Sequence, residues 1–229
     1  MPHALITGAN RGIGLEHARQ LLSREWTVTA AVRDPGGAGD LKALDPGDGR
    51  LRIEAYDASK LDAAQNLKKK IDGPLDILFA NAGVMGPSEQ EFGKAAQEGF
   101  MDTLRVNALA PLALAEAFAD QVAQSQMKVI ALQSSRMGSI ADNGSGGRYA
   151  YRASKAALNA VGKSLSVDLK DKGIVVLILH PGWVRTDMGG PNGNLTVREC
   201  VDGQLDLIAR ANPDMNGRFF HVSGEDLPW

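Results

Sequence analysis

Tyr151 and Lys155 lie four residues apart in the segment YRASK, and a serine pair, Ser134-Ser135, closes an apolar run shortly before them. Residues at i and i+4 share one face of a helix, so the ammonium of Lys155 can sit under the phenol of Tyr151 and favour its ionised form. A phenol brought down from its usual pKa of about 10 can exchange a proton near neutral pH. Tyr149 does not compete, because the residue four positions on is the uncharged Ala153; its place is at the helix start or the pocket wall. The bare pattern also suits a solvated helix flank, so the weight falls on the segments around it.

Short apolar runs rich in β-branched residues alternate with longer stretches of helical period, the pattern of a parallel sheet covered by helices. Strands are expected near Ala4–Ile6, Thr27–Val32, Leu51–Tyr56, Leu75–Ala80, Met127–Gln133, Ile174–Leu179 and Arg218–Val222. Helices fit between them at Ile13–Arg24, Ala38–Leu44, Lys60–Ile71, Gln97–Ser125, Tyr149–Lys172 and Val197–Ala211. Pro111 should kink or divide the fourth of these, because proline removes a helix hydrogen bond. The expected fold class is α/β: a single doubly wound parallel sheet of Rossmann type, about seven strands with helices on both faces. A chain of 229 residues suits one domain spanning 1–229, with the Gly-rich stretches Pro35–Gly39 and Gly144–Gly147 as turns or loops.

Composition narrows the partners. A net charge of −2 with 23% charged residues leaves no electrostatic footprint for nucleic acid or an acidic membrane surface. No apolar run approaches the ~20 residues needed to span a bilayer. The sole cysteine, Cys200, has no internal disulfide partner and no adjacent histidine, so a buried structural thiol is expected. With no charged leader before the first apolar run, a cytoplasmic setting is expected.

In a doubly wound sheet, ligands bind beyond the carboxyl ends of the strands, so polar signatures placed there carry most weight. After the first strand comes TGANRGIG, in which Gly8, Gly12 and Gly14 lead straight into a helix. Glycines permit a tight turn and close backbone approach, and the helix N-terminus offers N–H donors and a positive dipole end to a pyrophosphate. Asn10, Arg11 and Ile13 complete the loop. After the second strand, Val32 stands where an acidic residue would receive the ribose hydroxyls of NAD, and Arg33 follows. A guanidinium there matches a 2′-phosphate, so NADP(H) is favoured over NAD(H), with Arg11 a second cation on the same side. Asp34 is the alternative partner for the ribose. Asp57 ends the third strand, where it could accept from an adenine amino group or cap the following helix, as could Ser59. After the fourth, Asn81-Ala82-Gly83 is a small-residue bend that lets a cofactor lie close to the backbone.

With these pieces in place, the chain resembles the short-chain dehydrogenase/reductase family over nearly its whole length. TGANRGIG resembles the family's TGxxxGxG loop, Asn81-Ala82-Gly83 its NAG turn, SSRMG its serine segment, YRASK its YxASK, and HPGWVRTDM its PGxVxT segment, all in family order. Within the family it is most similar to carbonyl reductases of the sniffer and C-factor type, through RVNALAP, SSRMGSI, YAYRASKAALN and the terminal LPW.

The resemblance implies Tyr151 as the acid/base at the carbonyl oxygen. Lys155 would lower the Tyr151 pKa and hold the nicotinamide ribose, and Ser135 would orient the substrate oxygen. Asn107, in RVNALAP, aligns with the asparagine that holds a water linking Lys155 to solvent. Pro181, Gly182, Thr186 and the backbone near Val184 would contact the nicotinamide amide and the phosphates. One departure is the Ser135-to-Tyr151 interval, longer than is usual in the family; Gly144–Gly147 can absorb it, with Ser139 the alternate serine. Arg136, Met137 and Trp183 are pocket candidates because they flank site motifs.

The expected function is an NADPH-dependent reductase of ketones or aldehydes acting on a small-molecule substrate. The short, Gly-rich stretch from Thr186 to Thr196 implies a small, mobile lid and broad tolerance. A second class, an NADP(H)-binding signalling or regulatory protein with little turnover, needs only the binding half of this set. The Ala- and Leu-rich helices at Gln97–Ser125 and Tyr149–Lys172 suggest a homodimer or homotetramer.

Overall fold

A computed structural model describes residues 1–60 and 62–229. Its strands are β1 (His3–Thr7), β2 (Thr27–Val32), β3 (Leu51–Ala55), β4 (Ile77–Ala80), β5 (Val129–Gln133), β6 (Val175–His180) and β7 (Arg218–His221). They form one seven-stranded sheet in the order β3-β2-β1-β4-β5-β6-β7, every pairing parallel. The order reverses between β1 and β4, whose Leu5 and Leu78 are in register, and this switch point opens the crevice in which the site lies.

The helices are α1 (Gly12–Ser23), α2 (Gly39–Lys42), α3 (Ala63–Lys68), α4 (Gln97–Leu104), α5 (Ala110–Ala123), α6 (Tyr149–Asp168) and α7 (Val197–Ala209). Strands buried on both faces are apolar almost throughout, and their alternate residues feed two cores. On one face Ile6, Ala30, Phe79 and Leu177 pack with Leu21 of α1 and Leu205 of α7. On the other, Leu5, Leu78, Ile130 and Ile178 pack with Leu67 of α3, Phe118 of α5 and Leu158 of α6.

The helix expected over Gln97–Ser125 is divided, and its break is a π-helical turn at Arg105–Leu109, between α4 and α5 and just ahead of Pro111. The helix expected over Lys60–Ile71 shortens to α3, because residues 57–60 are drawn into a turn by Asp57; Leu61, inside that span, lies outside the described residues. The last turn of the helix expected to reach Lys172 tightens into a 3₁₀ turn at Lys170–Lys172, after α6 ends at Asp168. Among the described residues no helix is long and apolar enough to cross a membrane.

Candidate active site

The loop after β1 and the bend after β4 are bound into one floor. The Thr7 hydroxyl accepts from the N–H groups of Asn81 and Ala82 at 3.1 and 3.0 Å, and Asn81 Nδ2 donates to the carbonyls of Thr7 and Gly8 at 2.9 and 3.3 Å. Gly14 is fixed by packing, since a Cβ there would stand 2.4 Å from the Gly8 carbonyl. Gly12 differs: its φ is +54°, and a Cβ would meet only Thr186 Cγ2 at 3.5 Å. The first turn of α1 is therefore open at Gly12, and it has neither a side-chain cap nor an acidic residue. Unsatisfied N–H groups at the positive end of a 12-residue helix fit the pyrophosphate of a dinucleotide. Asn10 is exposed at the lip of this loop.

At the adenosine end, Arg33 is exposed and, among the described residues, makes no ion pair, while its charge reaches Asp57. Asp34 is tied into its own turn, its Oδ1 accepting from the Gly36 N–H at 2.9 Å. Asp57 does not cap α3. Its Oδ1 accepts from the Ser59 N–H and hydroxyl at 3.0 and 2.8 Å, and the Ser59 hydroxyl chiefly holds its carboxyl below the usual range. Arg11 was expected beside Arg33 as a free cation; instead its Nη1 pairs with Asp187 at 2.9 Å, across the crevice on the segment after β6. An exposed guanidinium without a bound anion takes the nearest carboxylate.

At the other end, Ser135 follows β5 while Tyr151 and Lys155 lie on α6, all three buried. The Ser135 hydroxyl accepts from the Met137 N–H at 3.2 Å and lies near enough to the Tyr151 phenol to favour its ionised form. Ser139 plays no such part, because its hydroxyl accepts from the Asp142 N–H at 3.1 Å and closes a turn. The serine turn lies flat on α6: a Cβ at Gly138 would stand 2.7 Å from the carbonyl carbon of Lys155. Arg152 grips the long interval before Tyr151 at both ends. Its guanidinium donates to the carbonyls of Gly146 and Met137 at 3.2 and 3.4 Å and to the Ser145 hydroxyl at 2.8 Å.

The phenol is not acidified in this state. Burial pushes the Tyr151 pKa above its ordinary value, and the Ser135 hydroxyl opposes that rise only in part. Lys155 Nζ stands 5.8 Å from the centre of the Tyr151 ring and donates to the Gln133 carbonyl at 2.7 Å. Burial lowers the pKa of this lysine to about 8. The sequence-based expectation counted the pair's charges and not their shared desolvation, which favours the neutral form of each.

Asn107 is buried and its side-chain amide is fully engaged. Its side-chain oxygen accepts from the Val84 N–H at 2.9 Å, and its nitrogen donates to the Val84 carbonyl and the Ser154 hydroxyl at 2.8 and 2.9 Å. The amide thus ties the bend after β4 to α6 and has no bond to Lys155.

The segment after β6 covers the middle of the crevice. Gly182 turns it at φ +78°, Val184 bridges to Leu195, and the Thr186 hydroxyl accepts from the Gly189 N–H at 3.1 Å. Pro181 is half-buried ahead of this turn. Trp183 is half-exposed, with its indole N–H held by the Gly189 carbonyl at 2.6 Å. Arg136 leaves the pocket: its guanidinium points to Asp142 and Glu225, 3.6 and 4.0 Å away. Cys200 is buried and its thiol pushed up to about 12, which suits packing and not nucleophilic attack. Neither Arg152 nor Gln133 carries a sequence signal for its role, since each acts through contacts distant in the chain.

A family model described as short chain dehydrogenase matches residues 2–194. The C-signal of Myxococcus xanthus is 45% identical over 157 residues, covering 69% of this chain and 94% of its own length. Among solved structures, the carbonyl reductase Sniffer of D. melanogaster superposes with a TM-score of 0.93 at 35% identity, covering 100% of both chains. An NADPH-bound carbonyl reductase from chicken fatty liver superposes at 0.91 with 31% identity, over 100% of this chain and 99% of that one.

Proposed function

This chain belongs to the short-chain dehydrogenase family, and on that footing we propose that it is an NADPH-dependent reductase that converts a ketone or aldehyde to an alcohol. The observation that carries the reading is Lys155 Nζ 5.8 Å from the centre of the Tyr151 ring, with Ser135 buried nearby, in a chain whose glycine-loop helix is uncapped. The residues present fit a dinucleotide. The first turn of α1, with Gly8, Asn10, Gly12, Ile13 and Gly14, would hold the pyrophosphate. Arg33, Arg11 and Asp57 would hold the adenosine end, and Asn81, Ala82 and Gly83 would line the floor. Pro181, Gly182, Val184 and Thr186 would meet the nicotinamide.

NADPH, when bound, supplies the hydride; the protein orients the substrate and handles the proton. Ser135 donates to the carbonyl oxygen and fixes where charge develops. Tyr151, neutral because it is buried, is already in the form that gives up a proton to that oxygen. Lys155, under the ring, stabilises the phenolate left behind, and Asn107 would hold a water that links Lys155 to solvent. The preference for NADPH is supported by Arg33, which is exposed and among the described residues makes no ion pair, and by Asp34, tied into its own turn. The NADPH carried by the chicken reductase supports it further.

The test is consumption of NADPH across a panel of ketones and aldehydes, with Tyr151→Phe as control. Turnover that vanishes in the variant while NADPH still binds supports the reading; full activity of Tyr151→Phe overturns it. The 45% identity to the C-signal favours a second reading, a dinucleotide-responsive signalling protein; tight NADPH binding without turnover on any carbonyl would favour it. Exposed Met101, Leu109 and Val167 on the outer faces of α4, the π-turn and α6 support self-association as a homodimer or homotetramer, which sedimentation would measure.

A further inference from the structure

A helix begins with N–H groups that its own turns cannot satisfy, and α6, which carries Tyr151, has no local cap. The residue before it, Arg148, is left-handed at φ 50° and gives no side-chain hydrogen bond. Gln90, 61 residues earlier in the irregular stretch between β4 and α4, supplies the cap. Its side-chain oxygen accepts from the Tyr151 N–H at 2.9 Å, and its carbonyl accepts from the Tyr149 N–H at 3.2 Å. Its side-chain nitrogen donates to the carbonyls of Met85 and Pro87 at 2.8 and 2.7 Å. The residue is 1% exposed, so the amide is a buried polar group with donor and acceptor both in use.

Tyr151 is thereby held from both sides of its backbone. Gln90 takes its N–H, and its carbonyl accepts from the Ser154 hydroxyl at 2.8 Å, which in turn receives Asn107. Because Asn107 grips Val84, the chain from Val84 to Gln90 is fastened at one end under the nicotinamide floor and at the other to the proton donor. We propose that Gln90 is a positioning residue for the phenol: a remote helix cap that sets Tyr151 against the bend after β4. A displacement of about 1 Å at a reacting group can cost on the order of 10²-fold in rate, so such a staple acts on turnover and not on cofactor affinity.

The inference rests on the proposed reductase reading, and its test separates the two. Gln90→Met fills the space and removes every hydrogen bond of the amide; Gln90→Glu keeps an acceptor at the helix N-terminus, where a carboxylate is favoured. Hydrogen exchange at the amide of Tyr151, the one bonded to the Gln90 side chain, reads the cap directly, whether or not the protein turns over. Protection should fall by about 10-fold or more in Gln90→Met and persist in Gln90→Glu. Where the wild type reduces a carbonyl, kcat of Gln90→Met should drop roughly 10- to 100-fold with the NADPH dissociation constant changed less than about 3-fold. Gln90→Glu should recover most of kcat, its pH profile moved upward by the added negative charge near the phenol. Unaltered exchange in Gln90→Met, or a kcat within about 2-fold of wild type, overturns the proposal. A wild type without turnover overturns the reductase reading alone, and the exchange experiment still decides on Gln90.

Discussion

Lys155 Nζ lies 5.8 Å from the centre of the Tyr151 ring and is directed at the Gln133 carbonyl, 2.7 Å away, so the two groups share a dry site without an ion pair. Burial lowers the lysine to about 8 from 10.5 and raises the phenol. Between about pH 8 and 10 the unfolded chain binds more protons at Lys155 than the folded one, so wild-type stability should rise with pH there. The full effect up to the unfolded pKa is at most about 3 kcal/mol. Above the ordinary phenol value of 10 the raised Tyr151 works the other way, and stability should fall. Denaturant unfolding of wild type and Lys155→Met across pH 7 to 10 measures this. Curves that stay parallel would show that the lysine is not desolvated.

Ser135 and Ser139 separate by the same reasoning. Ser135 is buried near the phenol and acts on its ionisation, so Ser135→Ala should lower kcat on the order of 10²-fold with little change in stability. Ser139 closes a turn to the Asp142 N–H, so Ser139→Ala should cost about 1 kcal/mol of stability and leave turnover within a few-fold. Steady-state kinetics and thermal unfolding of the two variants check the assignment, and the reverse pattern would exchange their roles.

Much of this arrangement can be read from the chain because its signals are local. The central strands are nearly unbroken apolar runs: Ile130, Leu132, Val176 and Ile178 are all 0% exposed, so each strand is marked by its own residues. The glycine loop sits between a strand and a helix, and its geometry follows from that context. What the sequence does not carry is the outcome of long-range competition. Lys155 finds the carbonyl of Gln133, Arg11 finds Asp187 from 176 residues away, and Asp57 prefers Ser59 to a helix N-terminus. The direction of the Tyr151 shift depends on burial depth, which spacing does not encode. Pro111 announces a break in its helix, but not that the break is a π-turn bringing Asn107 to Val84 and Ser154.

The adenosine end gives a cofactor test independent of catalysis. Among the described residues Arg33 makes no ion pair, and Asp34 is tied to the Gly36 N–H, so a 2′-phosphate would meet an exposed guanidinium. Arg33→Asp should weaken NADPH binding roughly 10- to 100-fold while leaving NADH equal or tighter. Fluorescence titration with each nucleotide measures both. If discrimination is unchanged, the phosphate is read elsewhere, and Arg11, released from Asp187, is the next group to replace.

The acid side of the stability curve should report His17. Its ring lies 4.4 Å from the Phe79 ring, centroid to centroid, and its Nε2 meets Gln204 Oε1 at 2.9 Å. Gln204 Nε2 continues to Gln133 Oε1 at 2.8 Å, so a buried polar chain runs from α1 to the residue that anchors Lys155. Burial lowers the His17 pKa from 6.5 to about 4, so the folded protein holds the ring neutral where the unfolded chain protonates it. Its contribution is complete above about pH 6.5 and is lost as pH falls through 4, a change of about 3 kcal/mol. His180, lowered to about 3 by burial, adds to the same acid sensitivity. His17→Gln keeps an amide that can donate to Gln204 but does not titrate, so its stability should depend less on pH between 7 and 4 than that of the wild type. Unfolding free energies that fall equally in both proteins would mean that His17 is already solvated, and that the polar chain behind Lys155 does not hold.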